Sequence, residues 1–349
     1  MAPSPLRRFP SLLFLSLLLT ISGCLPFSCQ PSQPRALFPA DSLSRQYAES
    51  TSIDTLITVW ETVGGSDVEL VYPRTVRFDS LGNIFASDAQ NNEIYKFLRE
   101  DGVIDRVYTS ISYETPYLVG IREDTILVFN PSLRRIDYTV GDDTQLYVQL
   151  PSDESGPDRL QYVIATEDDI YYKVIEKDFP GYIAKVDRKG NIESKTEIPT
   201  PYWRFAGALR MWNDELLSLS AYRPFIDFID ASNSLDSLAL FGFDSPMLAR
   251  SRAFVLGNTR QPPLLYSSAA TLDDYLFVLN LRPGWLRIDV FDTEGTLKHR
   301  LVQQEPGFNK EFYPIDIDAR VSDEGGIELI VAYIKPEPKL SLYSWMPES

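Results

Sequence analysis

Tyr72-Pro73-Arg74-Thr75-Val76-Arg77-Phe78-Asp79 runs into Ser80-Leu81-Gly82-Asn83 and then Ile84-Phe85-Ala86-Ser87-Asp88. Two short runs of strand-forming residues thus flank a Gly-Asn turn. Asn91-Asn92 turns the chain again into Glu93 to Leu98, and Glu100-Asp101-Gly102 leads into Val103 to Tyr108. Four short strands joined by Gly, Asn and Asp turns predict one antiparallel meander.

The spelling of this unit resembles an NHL repeat. Pro73, Val76, Asp79, Gly82, Asn83, Ile84, Asp88, Asn92, Ile94 or Tyr95, Phe97 and Gly102 fall near the positions of that family's pattern. The resemblance implies one four-stranded blade of a β-propeller.

Outward from it, the plan recurs more loosely. Thr125 to Phe129 and Leu133 to Tyr138 form one later pair of strands. Asp169 to Tyr172 and Tyr182 to Asp187 form another, and Asp214 to Leu219 and Phe225 to Asp230 a third. Asp274 to Leu279 with Leu286 to Phe291, then Gly326 to Val331 with Leu340 to Tyr343, complete the series. Units start near 73, 117, 160, 204, 265 and 312, a period of about 44 residues with one longer gap. Such a sheet has two apolar faces that only its neighbours can cover. The fold expected is all-β: a six-bladed β-propeller of four-stranded antiparallel blades. The last unit runs out after three strands near Trp345, and Ile53 to Trp60 is an orphan alternating strand that would complete it. Paired β-sandwiches, the competing arrangement, have no reason to repeat at this period.

The N-terminus has the parts of an export signal: Arg7 and Arg8, the apolar run Leu12 to Thr20, then Ser22-Gly23. The run is too short for a spanning helix. Ile21-Ser22-Gly23-Cys24 resembles the bacterial lipobox. That resemblance implies cleavage before Cys24, a diacylglyceryl group on its thiol and an added acyl chain such as palmitate. Two or more chains hold a protein stably on a membrane. Leu25, rather than an aspartate, follows Cys24, which implies sorting to the outer membrane. Cys29 is then left without a disulfide partner. The domains expected are a signal peptide over 1–23, a lipidated cysteine and Pro/Ser/Gln-rich tether over 24–50, and the propeller over 51–349.

The chain carries a net charge of −16; removing residues 1–23 takes Arg7 and Arg8 and no acid, leaving −18. That charge argues against nucleic acid and favours a cationic partner or metal ions. His299 is the only histidine, placed after a turn where it is expected to be exposed. A Ser-His-Asp triad, a thiol nucleophile and His/Cys zinc sites are therefore not expected. No phosphate-binding Gly-rich loop is present. Carboxylates remain for acid–base work or for holding Ca²⁺, the one cofactor considered, with Asp88, Asp168, Asp169, Asp273, Asp274 and Asp316 as the candidates.

An aromatic residue stands beside proline at several unit starts: Tyr72-Pro73, Pro116-Tyr117, Pro201-Tyr202-Trp203 and Tyr313-Pro314. Loops expected on the same face carry Tyr222-Arg223-Pro224 and Arg282-Pro283-Gly284-Trp285. Tyr117, Tyr202, Trp203, Tyr222, Arg223, Arg282, Trp285 and Tyr313 are thus the candidate binding residues, a composition typical of recognition surfaces. Packing between blades is the alternative role for such pairs. The long gap Phe243 to Leu264 is expected to hold a short helix over that face. The function expected is a lipid-anchored envelope module that binds a protein, peptide or glycan. A carboxylate- or Ca²⁺-assisted hydrolase or lyase, and a scaffold subunit, are the alternatives. Intact-mass analysis of the membrane-extracted protein is expected to find a chain beginning at acylated Cys24, and Cys24→Ser to release it from membranes. A free terminus at Leu25 or beyond refutes the anchor.

Overall fold

The computed structural model describes residues 41–65, 68–151, 160–175, 181–198, 206–229, 235–260, 263–304 and 307–347. Cys24, Tyr202 and Trp203 lie outside them. Phe38–Ser349 forms one compact unit.

The chain enters with helix α1 (Asp41–Ser50) and strand β1 (Ile53–Thr62). Antiparallel meanders follow. The first is β2 (Pro73–Phe78), β3 (Ile84–Asp88), β4 (Glu93–Phe97) and β5 (Ile104–Thr109); the next is β6 (Tyr117–Arg122), β7 (Thr125–Asn130), β8 (Arg135–Val140) and β9 (Asp143–Gln149). Then come β10 (Leu160–Ala165), β11 (Ile170–Ile175), β12 (Gly181–Val186) and β13 (Ile192–Ile198), and β14 (Leu209–Trp212), β15 (Glu215–Leu219), β16 (Phe225–Ile229) and β17 (Leu235–Ala239). Helix α2 (Leu248–Val255) precedes β18 (Tyr266–Leu272), β19 (Tyr275–Asn280), β20 (Arg287–Phe291) and β21 (Leu297–Gln303). The chain ends in β22 (Tyr313–Val321), β23 (Ile327–Lys335) and β24 (Lys339–Trp345). Among the described residues these strands make four four-stranded sheets and one eight-stranded sheet.

Strand β1 explains the larger sheet. Ile57–Thr62 pairs antiparallel with β24, supplying a fourth strand to β22–β24, while Ile53–Leu56 pairs parallel with β21. The orphan alternating segment thus does two jobs, only one of which its sequence suggested. Its inward residues Leu56 and Trp60 are buried, and Ile53, Ile57 and Val59 face solvent. Trp60 lies over Gly102, whose positive φ of 69° and close approach to the ring leave no room for a side chain there.

The first strand of each meander borders the first strand of the next: β2 beside β6, β6 beside β10, β10 beside β14, β14 beside β18, β18 beside β22, and β22 back beside β2. Four-stranded sheets arranged radially around such a ring form a β-propeller. Each hydrophobic cluster is shared by neighbouring sheets. Val76, Ile84 and Phe97 meet Ile330 and Leu342, for example, and Phe85 and Ile94 meet Ile126 and Val128. Middle strands covered on both sides read as unbroken apolar runs, as in Tyr275–Asn280, whereas the outer β13 reads Ile-Glu-Ser-Lys-Thr-Glu-Ile with most residues exposed.

Several hairpins close on one chemical device. Asp79 accepts the backbone N–H groups of Leu81 and Asn83, and its other oxygen accepts the Asn83 amide. Asp187 does the same with Lys189 and Asn191. The Asp-x-x-Gly-Asn spelling is therefore an Asx turn with Gly at the positive-φ position.

Two expectations need correction. The tether does not extend to residue 50: residues 41–50 are helical, and α1 packs on the sheets through Tyr47 against Phe241 and a Ser44 hydroxyl that accepts Gly242 N–H. The expected start of the fourth meander near 204 lies outside the described residues, among which its first strand is β14. His299 is half-buried, not exposed. Its Nδ1 lies 2.9 Å from Asp54 and its ring meets Trp345 edge-on, at the seam where β1 joins both neighbours. Leu56→Ala is expected to lower unfolding free energy by about 3 kcal/mol in urea, and Ile57→Ala by about 0.5 kcal/mol or less. Equal effects would show that β1 is not part of the closed core.

Candidate functional site

The N-terminal halves of the first strands surround a central cavity of about 210 Å³. Its lining is set by irregular pairing. Arg74, Val119, Ser267 and Ile315 each lie at a register shift between the first and second strands of their meanders, and each lines the cavity. A bulge bends its strand and re-aims the extra side chain.

At the cavity's charged side stands Asp316 on β22. Its Oδ1 accepts from Ser268 Oγ at 2.5 Å and Arg210 Nη2 at 2.7 Å; its Oδ2 accepts from Arg77 Nη1 at 2.6 Å and Val76 N–H at 3.0 Å. One carboxylate thereby ties together β2, β14, β18 and β22. Asp318 accepts the Phe78 N–H at 2.8 Å. Arg210 also donates to the Ala269 carbonyl, which fixes its plane. Burial alone would raise the pKa of Asp316, but the Arg77 and Arg210 charges outweigh it and hold the carboxyl below its ordinary range. Burial, then Arg77, pulls Arg210 down to about 10. Burial raises Asp318, so the pair titrates in opposite directions. With two donors on each oxygen, ionised Asp316 has no lone pair left to take a proton from a substrate.

The remaining wall is aromatic. Arg74 lies over the Tyr117 ring at 5.1 Å and the Tyr72 ring at 5.7 Å, and donates to Tyr72 Oη at 3.2 Å. Tyr162 and Tyr313 line the same space. Behind Tyr162, the buried Lys173 ammonium sits 4.6 Å from its ring and donates to Ser218 Oγ at 3.0 Å. Among the described residues no carboxylate pairs with Arg74. Its guanidinium faces a concave, partly apolar space with its charge uncompensated, an arrangement that suits an anionic group.

The sequence-derived candidates divide. Tyr117 and Tyr313 come together at the cavity. Tyr222 instead meets Phe254 of α2 at 5.7 Å, and Arg223 is buried against Asp227 at 2.7 Å. Arg282 lies over Trp285 at 4.9 Å, and Trp285 meets Phe308; neither lines the cavity. Among the acids, Asp316 alone of the six lines it. Asp88 accepts four backbone N–H groups, from Val71, Tyr72, Gln90 and Asn91, and so closes turns. Asp169 pairs with Lys185 at 2.6 Å, while Asp168, Asp273 and Asp274 are exposed turn residues. Among the described residues no group of three His, Cys, Asp or Glu side chains is placed to hold a metal ion. The expected helix in the 243–264 gap is α2, whose Ser251 hydroxyl donates to the Tyr222 carbonyl.

Sequence reasoning missed Arg74, Arg77, Arg210 and Ser268. It also missed a recurrent third-strand aspartate. Arg135 pairs with buried Asp137 at 3.0 Å and Arg287 with buried Asp289 at 2.7 Å, each with an asparagine (Asn130, Asn280) on the same carboxylate. The repeated triplet Arg-Ile-Asp at 135–137 and 287–289 was the available signal.

No known protein family and no curated protein matches this chain in sequence. Solved structures match in fold. A catalytically inactive virginiamycin B lyase from Staphylococcus aureus, crystallised with quinupristin, is 14% identical with a TM-score of 0.51, over 82% of this chain and 98% of that one. A streptogramin B lyase is 13% identical with a TM-score of 0.52, over 82% and 97%. A luciferin-regenerating enzyme is 12% identical with a TM-score of 0.52, over 78% and 91%. At these identities the likeness establishes the β-propeller fold and nothing about chemistry.

Asp316→Asn leaves Arg77 and Arg210 as uncompensated buried charges and is expected to cost about 3–5 kcal/mol at neutral pH. A carboxylate with a depressed folded pKa stabilises above its unfolded pKa, and that contribution is lost as pH falls through the folded value. The deficit of Asp316→Asn should therefore shrink in acid, below the ordinary aspartate range, when urea unfolding is measured against pH. A deficit independent of pH would contradict the ion-pair assignment.

Proposed function

We propose that this chain is a lipid-anchored, six-bladed β-propeller of the bacterial cell envelope that captures a protein, peptide or glycan at the Arg74 side of its central cavity. The observation that carries the reading is the Arg74 guanidinium. It is held by Tyr72 and Tyr117, has no carboxylate partner among the described residues, and is aimed by a bulge into a concave space. The blade count treats the eight-stranded sheet as two blades joined by β1, in keeping with the ring of first strands. The recurrence of unit starts near 73, 117, 160, 204, 265 and 312 supports the same count.

The anchor and the outer-membrane address rest on Ile21 to Leu25. No helix among the described residues is long and apolar enough to cross a membrane. Binding, rather than acid–base chemistry, is favoured because Asp316 is fully committed to four donors. An anionic group on the partner would meet Arg74, while the tyrosines Tyr117, Tyr162 and Tyr313 offer flat, amphipathic contact surface.

Photo-crosslinking in native membranes tests this, with a photo-reactive phenylalanine analogue in place of Tyr313. A discrete adduct should form, and Arg74→Gln should weaken its formation about tenfold, the loss of one charge-assisted contact. The thermal unfolding midpoint of Arg74→Gln should fall only slightly, since the Tyr72 hydrogen bond and the two ring contacts are lost but no ion pair is broken. An adduct indifferent to Arg74→Gln would remove the cavity from the binding reaction.

A further inference from the structure

A second site lies away from the cavity, on one face of the sheet containing β18–β21. Asp289 on β20 stands directly opposite Arg300 on β21, and Arg287 lies one pair further along the same face. Arg282, from the loop between β19 and β20, and Arg300 each feel the Arg287 charge, so the three form a group of guanidiniums around Asp289. Asp289 accepts from Arg287 Nε at 2.7 Å on one oxygen and from the Asn280 amide at 2.8 Å on the other. The other nearby acid, Asp244, is largely exposed and lies 3.5 Å from Arg287 Nη1.

The arginines are therefore in excess. Arg287 is only 6% exposed, yet among the described residues its Nη2 finds no acceptor; neither do Arg282 Nε, Arg300 Nε or Arg300 Nη2, all of them buried atoms. A buried N–H group without an acceptor costs free energy that a ligand oxygen would recover. Nε and Nη2 lie on one edge of a guanidinium, and both are open on Arg300, the fork that takes two oxygens of one anion.

The fold does not demand this cluster. In the meander β6–β9 the same motif, Asn130, Arg135 and Asp137, stands without it: the residue opposite Asp137 is Leu146, where β21 has Arg300. The two added arginines thus do something beyond closing the sheet. Burial, then the Arg287 charge, lowers the pKa of both Arg282 and Arg300, a penalty that a bound anion would relieve. Of the three arginines, Arg300 reaches the wall of a groove of about 1040 Å³ between α1 and the segment leading into α2, which it shares with Asp244.

We propose that Arg282, Arg287 and Arg300 form a binding site for a tetrahedral oxyanion of the phosphate or sulfate class. Donors on three separate guanidiniums suit an anion whose oxygens point in several directions better than a planar carboxylate. The site is independent of the central cavity, and its ligand can be free or part of a larger molecule.

Isothermal titration of the full-length protein with inorganic phosphate, inorganic sulfate and acetate, at constant ionic strength, tests the assignment. Phosphate or sulfate should bind saturably at one site, and acetate far more weakly. Arg300→Gln should weaken the anion about tenfold or more, and Arg300→Lys, which keeps the charge but loses the two-donor edge, should also bind more weakly than the parent. Arg282→Gln, at a half-buried position that forms no ion pair among the described residues, provides the same readout if Arg300→Gln unfolds. Absence of saturable binding by phosphate and sulfate overturns the proposal, as does equal affinity in all variants. Acetate binding as tightly as phosphate overturns the tetrahedral assignment.

Discussion

The architecture follows from one constraint: each meander carries apolar side chains on both faces of its middle strands. Phe277 and Leu279 project to one side of β19, while Leu276 and Val278 project to the other, and all four are fully buried. A single sheet cannot satisfy both faces, and a two-layer sandwich leaves one outer face wet. Radial stacking covers both, provided the series closes on itself. Closure falls to β1, which fills the open edge of β24 and also grips β21. Leu56 on that strand joins the same cluster as Phe277, Leu301, Tyr343 and Trp345. The chain ends are thereby stapled by the same burial that holds neighbouring sheets together.

Near the axis, apolar packing gives way to charge. Asp316 gathers donors from strands more than two hundred residues apart in sequence. Four donors, two of them arginines, offset the cost of taking one carboxylate out of water. The hub also dictates the character of the space beside it. Arg77 and Arg210 are spent on Asp316, whereas Arg74 is turned away by its bulge and left among tyrosines. That division of the arginines underlies the proposal that the cavity recognises an anionic or polar group. The Arg282–Arg287–Arg300 cluster repeats the theme further out, where a structural Arg–Asp pair has acquired two additional cations.

Much of this was legible in the chain. The Asp-x-x-Gly-Asn turn at 79–83 is local chemistry, closed by the side chain of its own first residue. Apolar runs such as Tyr275–Asn280, and the alternation of Ile53 to Trp60, carry the burial pattern directly. The Arg-Ile-Asp triplets were equally visible but were passed over, because strand periodicity alone does not distinguish a buried aspartate from one facing solvent. Tyr117 and Tyr313 were found at the cavity because proline marks where a first strand begins. Arg223 misled for the opposite reason: its proline neighbour resembled the others, but its guanidinium closes on Asp227 four residues away.

By itself, then, the amino-acid sequence determined the strands, their turns, the repeat and the need for neighbours on both faces, since these depend on interactions within about ten residues. Only the tertiary structure decided which arginines are free. Arg74, Arg77 and Arg210 are alike in sequence, and Arg282, Arg287 and Arg300 are alike again. What separates them is a one-residue bulge and the position of partners from distant meanders, Asp316 for one group and Asp289 for the other. Availability of a charge is a property of long-range pairing, and local sequence does not encode it.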